Sequence, residues 1–257
     1  MKLPVSPNRD LGQHFLVDEN ILGVIGRLAE LDPKDVVLEV GPGLGVLTDF
    51  LAERVSRVHA VELDRSFEPH LPQRANVDLH FGDALRLDLS ALEPAPTKLV
   101  SNLPYNIATP LIVESLDGLP TVEHWTVMVQ REVADRFFAE PSTKAYGAVS
   151  VLVQLVAERT GFHPVSRTVF RPQPNVDSAL VAFRSLGLPQ SYPQVKQVVA
   201  AAFAHRRKRL PNSLELAGAA TREQAAAALE AIGRKPTARA EELAPPEFVA
   251  LAEALDR

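Results

Sequence analysis

The chain has 257 residues, of which 46% are hydrophobic and 23% are charged, and this ordinary globular composition excludes a disordered protein and allows a sizeable buried core. It contains no cysteine, which excludes disulfides, thiolate nucleophiles and cysteine-bound zinc and makes a reducing cytoplasm the expected location. The formal net charge of −5 excludes a protein coated with positive charge, so any surface for nucleic acid has to be local.

Strand and helix patterns alternate over the first two-thirds of the chain. Short apolar runs predict five strands, at Val36–Val40, Arg57–Leu63, Val77–Phe81, Lys98–Ser101 and Trp125–Gln130. Helices are predicted between or after them, at Leu44–Arg54, Phe67–Arg74, Thr109–Leu116 and Arg131–Phe138. Later come a segment at Ala148–Ala157 and an extended pair, Arg167–Phe170 with Ser178–Arg184. This order predicts βαβ units and an α/β fold with a largely parallel sheet.

The sequence changes character after a linker rich in glycine and proline at Ser185–Pro193. Beyond the linker, helix patterns rich in alanine and leucine occur without any strand pattern, at Val195–Ala204, Arg222–Ile232 and Pro246–Leu255. We therefore expect a larger domain at residues 1–185 and a small all-α domain at residues 186–257. The second carries ten basic and eight acidic residues, a balance of +2, whereas the first carries 17 and 24, a balance of −7.

No membrane or export segment is expected. No apolar run reaches the roughly 18–20 residues that a membrane-spanning helix needs. The first ten residues contain no apolar signal core. Nothing in the sequence requires a dimer, so a monomer is expected.

A glycine cluster follows the first predicted strand, in the run Glu39-Val40-Gly41-Pro42-Gly43-Leu44-Gly45. Glycine between a strand and a helix permits a tight turn and a close approach of a ligand to the backbone. The spacing is not that of the GxGxxG dinucleotide motif, because the third glycine would fall at Val46. The turn therefore suits an adenosine ligand without a pyrophosphate and disfavours an NAD-dependent oxidoreductase. A plain strand-to-helix turn is the alternative.

Carboxylates lie at the carboxyl ends of the next two predicted strands. Glu62 lies 21 positions after Gly41, where an acid can accept hydrogen bonds from both ribose hydroxyls. Asp83 ends the third strand, where it can accept a hydrogen bond from an adenine amino group. Taken singly, each acid is better explained as a solvated surface charge than as a ligand-binding group. Together they fall at the carboxyl ends of successive parallel strands, which favours a nucleoside ligand.

The run Asn102-Leu103-Pro104-Tyr105 follows the fourth predicted strand. The side-chain oxygen of Asn102 and a backbone carbonyl fixed by Pro104 supply two neighbouring acceptors for the two hydrogens of an exocyclic amine. Accepting those hydrogens localises the amine lone pair toward an electrophile without a formal base. Tyr105 offers an aromatic face on which an extruded base can stack. A strand-end turn with a buried tyrosine is the alternative.

These motifs resemble the class I S-adenosylmethionine-dependent methyltransferases, and within them the ribosomal RNA adenine N6,N6-dimethyltransferases. The resemblance covers nearly the whole chain, and further matching runs are Leu11–Leu16, Gln130–Val133, Ala145–Gly147, Phe170–Ala179 and Arg206–Lys208 before Asn212–Leu214. It implies a Rossmann-like sheet, S-adenosylmethionine as cofactor without a metal, and transfer to two adjacent adenines of small-subunit (16S) rRNA in a 30S-type particle.

The resemblance also implies roles for individual residues. The expected cofactor-binding residues are His14, Leu16, Gly41, Glu62, Asp83 and Asn102. The expected catalytic residues are Asn102, Pro104, Tyr105 and Phe170, the last as a second aromatic face of the target pocket. Two departures matter. The family often has asparagine at the position of His14, and Pro211 interrupts the usual stretch after the basic cluster and predicts a shorter helix there.

The RNA surface is predicted at the one dense basic run, His205–Arg209, with Arg206, Arg207 and Lys208 as phosphate contacts. A solvated helix end is the alternative. Three other functions remain open: an enzyme of the Erm type acting on large-subunit RNA, a DNA adenine methyltransferase, and an assembly factor that mainly binds immature small subunits. The residues at Asn106–Pro110 and Phe170–Ala179 favour the small-subunit enzyme over the Erm type.

Overall fold

The computed structural model describes residues 13–205 and 207–256. The strands are β1 (Phe15–Leu16), β2 (Val36–Val40), β3 (Arg57–Glu62), β4 (Val77–Phe81), β5 (Lys98–Asn102), β6 (His124–Gln130), β7 (Ala157–Val165), β8 (Phe170–Arg171) and β9 (Ser178–Ser185). The α-helices are α1 (Glu19–Leu28), α2 (Val46–Ala52), α3 (Ala108–Gly118), α4 (Arg131–Phe137), α5 (Ala148–Val156), α6 (Tyr192–Phe203), α7 (Leu210–Leu216), α8 (Arg222–Ala231) and α9 (Pro245–Leu255).

Seven strands form one sheet in the order β4-β3-β2-β5-β6-β9-β7, and β1 pairs separately with β8. The strands from β4 through β6 are parallel to their neighbours, whereas β9 runs antiparallel to β6. Burial explains the apolar runs, because all five residues of β2 are buried in the centre of the sheet. The carboxyl ends of five strands thus share one edge. The antiparallel β9 brings its first residue, Ser178, to that same edge opposite Gln130.

The predicted parallel sheet is confirmed. The helix predicted at Phe67–Arg74 is a 3-10 helix at Arg65–His70, and three further local features also differ from expectation. Arg167–Val169 forms a 3-10 turn, so the expected extended pair does not exist, and β9 pairs with β6 instead. The strand β7 was not predicted, because Gly161 and Pro164 interrupt its pattern. Pro211 does not interrupt a helix, since it lies in the first turn of α7, where a missing N–H leaves no hydrogen bond unmade.

The chain divides into two units, one of residues 13–134 and 158–185, the other of residues 135–157 and 186–256. One boundary between the units falls after residue 185, where the sequence analysis also places a domain boundary. Residues 135–157 belong to the helical unit, although the sequence analysis places them in the larger domain. In this helical unit the Tyr146 hydroxyl donates a 2.8 Å hydrogen bond to the carbonyl of Leu243. This hydrogen bond connects the residue two positions before α5 to a segment nearly one hundred residues away. None of the described helices is long and apolar enough to cross a membrane.

Candidate active site

A cleft opens at the carboxyl edge of the parallel strands in the first unit. Its walls combine the β1 segment, the glycine turn, the ends of β3 and β4, and the run after β5, and they are formed by residues 13–16, 39–44, 46–47, 61–63, 67, 82–84 and 102–107. All of the motifs predicted to bind a nucleoside thus meet in one place. Open α/β sheets bind ligands at this edge because the loops after adjacent strands diverge there.

The glycine turn packs directly against the run that follows β5. Gly41 has φ +77°, and a Cβ atom at this position would lie 2.9 Å from Cγ and Cδ of Pro104. Its N–H donates to the carbonyl of Val61 at 2.9 Å. Glycine is required here both for the left-handed backbone and for the close approach. The absence of a side chain at Gly41 therefore allows the glycine turn to pack against Pro104 in the run after β5.

Glu62 is held by backbone N–H groups at the end of β3. Its Oε2 accepts a 3.1 Å hydrogen bond from Gly43, and its Oε1 accepts a 2.9 Å bond from Asp64. Burial raises the pKa of Glu62, while the backbone donors of Asp64 and Gly43 oppose that rise. Each carboxylate oxygen retains a further lone pair. The side chain is thus fixed in orientation and can still accept hydrogen bonds from a diol.

Glu39 is a second buried acid that lines the cleft, and the sequence analysis gave it no role. Its Oε2 is buried and has no hydrogen-bond partner among the described residues. Burial raises the pKa of Glu39 to about 8, and the neighbouring Glu62 carboxylate raises this pKa further. The nearby Thr48 hydroxyl lowers the pKa of Glu39, although it forms no hydrogen bond of normal geometry. A glutamate inside the otherwise aliphatic β2 was the signal available in the sequence.

Asp83 lies past the end of β4 and is more exposed. Its Oδ1 accepts a 3.0 Å hydrogen bond from the N–H of Leu85, and its Oδ2 lies 3.5 Å from Nε of the exposed Arg86. The first bond closes a turn and fixes the carboxylate at the rim of the cleft. The position is compatible with the predicted contact to an adenine amino group.

The amide of Asn102 is oriented by the N-terminal segment. Its Nδ2 donates a 3.3 Å hydrogen bond to the carbonyl of His14, which leaves Oδ1 as the acceptor available to a ligand. The Pro104 carbonyl already accepts a 3.2 Å bond from Ile107. In the described part of the chain nothing donates to the Leu103 carbonyl, which belongs to the peptide bond that precedes the proline. Of the two carbonyls beside this proline, the one of Leu103 therefore remains able to accept a hydrogen bond from a ligand.

Tyr105 and His14 form one wall of the cleft. The hydroxyls of Tyr105 and Ser178 are 2.7 Å apart, and burial raises the pKa of the Tyr105 phenol, so it remains neutral. The His14 ring lies 5.6 Å from the Tyr105 ring. Nδ1 of His14 lies 2.8 Å from the Pro172 carbonyl, and since a carbonyl only accepts, Nδ1 carries the proton. Leu16 is buried and lines the same cleft.

Phe170 is placed differently from the prediction. Its side chain is fully buried in the core of the first unit, in a cluster with Leu16 and Met128, and it is not part of the cleft wall. Pairing of β8 with β1 sets Phe170 opposite Leu16 and turns the ring inward. The structure therefore leaves Phe170 outside the lining of this cleft, and its role as a second aromatic face of the target pocket stays a prediction.

The predicted RNA-binding residues lie in the helical unit. Arg207 and Lys208 are exposed in the turn between α6 and α7, whereas Arg206 lies outside the described residues. Over residues 13–205 and 207–256, no group of three or more acidic, histidine or cysteine side chains could hold a metal ion.

The residues in the cleft fit a cofactor that carries positive charge and an adenosine group. Two buried acids, one of them with an unpartnered oxygen, favour a cationic group, and Glu62 together with Asp83 matches a ribose and an adenine. The sheet and this cleft define a class I S-adenosylmethionine-dependent methyltransferase. The chain is a member of the ribosomal RNA adenine dimethylase family, whose sequence model matches residues 5–256.

Relatives and solved structures agree with this membership. A ribosomal RNA small subunit methyltransferase A from Rubrobacter xylanophilus is 50% identical over 250 residues, covering 95% of this chain and 94% of the relative. A protein of the same name from Streptomyces griseus is 43% identical and covers 98% of this chain and 90% of its own. The 23S rRNA methyltransferase ErmE is 28% identical, covers 95% and 100%, and has a TM-score of 0.63. A dimethyladenosine transferase from Plasmodium falciparum shares the fold with a TM-score of 0.74 at 22% identity, covering 93% and 96%.

Proposed function

We propose that the chain transfers methyl groups from S-adenosylmethionine to N6 of two adjacent adenines near the 3′ end of small-subunit rRNA, giving N6,N6-dimethyladenosine during ribosome biogenesis. The observation that carries this proposal is the orientation of Asn102. Its Nδ2 donates to the His14 carbonyl, which leaves its Oδ1 as an acceptor, and the next residue along the cleft lining, Leu103, contributes a second acceptor through its carbonyl. Two acceptors match the two hydrogens of an unmethylated exocyclic amine.

The proposed cofactor site uses the acids at the ends of β3 and β4 and the glycine turn. Glu62 accepts hydrogen bonds from the ribose, Asp83 accepts one from the adenine, and the Gly41 turn lets the cofactor approach the backbone, while His14 and Leu16 line the same cleft. Bound S-adenosylmethionine supplies an activated methyl group with a neutral leaving group. The chain therefore needs to align the amine, and positioning supplies most of the rate effect.

The proposed target site acts on the amine through hydrogen bonds. Asn102 and Leu103 accept the two N6 hydrogens and thereby direct the lone pair away from the ring, while Tyr105 stacks on the extruded base. After one methylation the amine retains a single hydrogen, so one of the two acceptor contacts is lost. The second transfer consequently depends more on stacking than the first.

Contacts with RNA are proposed at the basic turn after α6, through Arg207 and Lys208 and with Arg206 as a third phosphate contact. The family implies an rRNA substrate; a 30S-type particle as the recognised form, a monomeric enzyme and a cytoplasmic location belong to this proposal. Neutralising Arg207 and Lys208 is expected to weaken RNA binding and to flatten its salt dependence, because each phosphate contact releases condensed counterions. An unchanged salt slope in filter-binding titrations would contradict the assignment.

The test is methyl transfer from labelled S-adenosylmethionine to unmethylated small subunits, with large subunits and duplex DNA assayed beside them and nucleosides analysed after digestion. Dimethyladenosine from small subunits alone is the expected result. Label in large-subunit RNA would assign the enzyme to the Erm type, in line with its likeness to ErmE. The variant Asn102→Ala should retain cofactor binding and lose transfer, whereas Glu62→Gln should weaken cofactor binding. If both variants keep a full effect on subunit maturation in cells, the protein acts as an assembly factor.

A further inference from the structure

Tyr105 is held by a residue that lies 73 positions away in the sequence. Its hydroxyl is 2.7 Å from Oγ of Ser178, and the Ser178 side chain is buried, with 1% of the residue exposed. Ser178 is the first residue of β9, which runs antiparallel to β6. An antiparallel strand is the only kind that brings its N-terminal residue to the carboxyl edge of the parallel strands. The topology therefore delivers this hydroxyl to the cleft.

We propose that Ser178 is a positioning residue for methyl transfer, which holds the Tyr105 ring at the place in the cleft where the target adenine stacks. A hydrogen bond at the phenol oxygen restricts the first side-chain torsion and so fixes where the ring lies, whereas the second torsion turns the ring about an axis through that oxygen and is limited by contacts with the ring face. The His14 ring packs against Tyr105 at 5.6 Å, and the Pro172 carbonyl anchors His14. Ser178 therefore completes a frame in which the ring is held along its face and at its hydroxyl.

This inference deepens the proposed function and rests on it, because the consequence of a misplaced ring is a misplaced amine. Asn102 is held by the backbone carbonyl of His14, and the Pro172 carbonyl anchors the His14 ring, so neither contact involves Ser178. Loss of the Ser178 hydroxyl is therefore expected to affect the stacking face more than the amine acceptors. Displacement of a reacting group by about 1 Å can slow a reaction by roughly a hundredfold, and a shift of a stacking ring is a smaller error.

The first test is a double-mutant cycle of Ser178→Ala and Tyr105→Phe in single-turnover methyl transfer to small subunits. Each single variant is expected to be about tenfold slower at saturating cofactor, with cofactor affinity unchanged, and the double variant no slower than the slower single variant. Ser115→Ala is the matched control, since Ser115 is buried and its hydroxyl accepts a 2.9 Å bond from Trp125 outside the cleft. That control should keep the wild-type rate.

The second test does not require activity. The chain contains three tyrosines, so tyrosine labelled with ¹³C at Cζ gives three resonances, and Tyr105→Phe identifies the one from Tyr105. Ser178→Ala is expected to shift that resonance alone. An unmoved Tyr105 resonance, a wild-type transfer rate in Ser178→Ala, or slowing that persists in the Tyr105→Phe background would each overturn the inference. If the wild-type enzyme does not methylate small subunits but Ser178→Ala still shifts the Tyr105 resonance, the proposed substrate is contradicted, whereas the contact by which Ser178 positions Tyr105 is supported.

Discussion

The buried carboxyl of Glu39 gives a quantitative prediction about stability. Burial raises its pKa from 4.5 to about 8, so the folded protein binds this proton far more tightly than the unfolded chain does. Each pKa unit corresponds to about 1.4 kcal/mol, and the free energy of unfolding therefore falls by up to roughly 5 kcal/mol as pH rises from 4.5 to about 8. The stability that protonated Glu39 contributes is fully present below pH 4.5 and is lost as the pH rises through about 8.

Replacement of Glu39 by glutamine keeps the shape of the side chain and removes its titration. The difference in unfolding free energy between Glu39→Gln and the wild type is expected to grow in favour of the variant with rising pH, and to level off above pH 8. Urea unfolding between pH 5 and pH 8.5 measures this difference, and subtraction cancels groups common to both proteins. Glu68→Gln is the matched control for the substitution itself, because Glu68 is exposed in the same unit. A flat curve for Glu39→Gln would refute the reasoning.

Two further predictions concern the glycine turn and the edge strand β4. Gly41→Ala should abolish cofactor binding in calorimetric titrations, because the new methyl group would lie 2.9 Å from Pro104 and the residue has φ +77°; cofactor affinity within threefold of wild type would contradict this. Burial and the neighbouring His59 lower the pKa of His80 below 6.5, while Asp78 opposes the shift. The stability contributed by neutral His80 is therefore present above pH 6.5 and lost as pH falls, and His80→Gln should flatten this acid loss in denaturation curves.

Most of the sheet could be predicted from the sequence, because the parallel strands are buried on both faces and read as short apolar runs. The run from Val36 to Val40 is fully buried and its predicted bounds match the structure. The strand β7 could not be predicted in this way, since Glu158, Arg159 and Thr160 are exposed and Gly161 breaks the alternation. A Cβ at Gly161 would lie 2.5 Å from Leu28, so this glycine reflects packing against α1. The formation of β7 therefore depends on tertiary packing, which the local sequence pattern does not reveal.

The same distinction separates the site residues. The placement of Gly41, Glu62, Asp83 and Asn102 in one cleft could be predicted because each lies at or just past the carboxyl end of a parallel strand, and topology alone brings these strand ends together. Phe170 could not, because the direction of its ring depends on the pairing of two short strands from distant parts of the chain.

The acceptors themselves show a further limit of sequence reasoning. Both Leu103 and Pro104 have a backbone carbonyl, and only the structure shows that the one of Pro104 is engaged by Ile107. Residue type therefore indicated that a backbone acceptor was present, and the hydrogen bonds of the structure show which carbonyl is already engaged.

The protonation of Glu39 also couples the cofactor to pH. S-adenosylmethionine carries a sulfonium and an ammonium against one carboxylate, so its net charge is positive, and a cation in the cleft favours the ionised form of Glu39. Below pH 8 binding must then release a proton, and affinity should rise with pH by up to tenfold per unit until it levels off near pH 8.

Calorimetry in phosphate and in Tris, whose ionisation enthalpies differ, counts the proton that is released when the cofactor binds. Release near one proton at pH 7 in the wild type and none in Glu39→Gln is expected. Equal release in both would assign the proton to another group, and Glu62, whose pKa burial also raises, would be the next to replace.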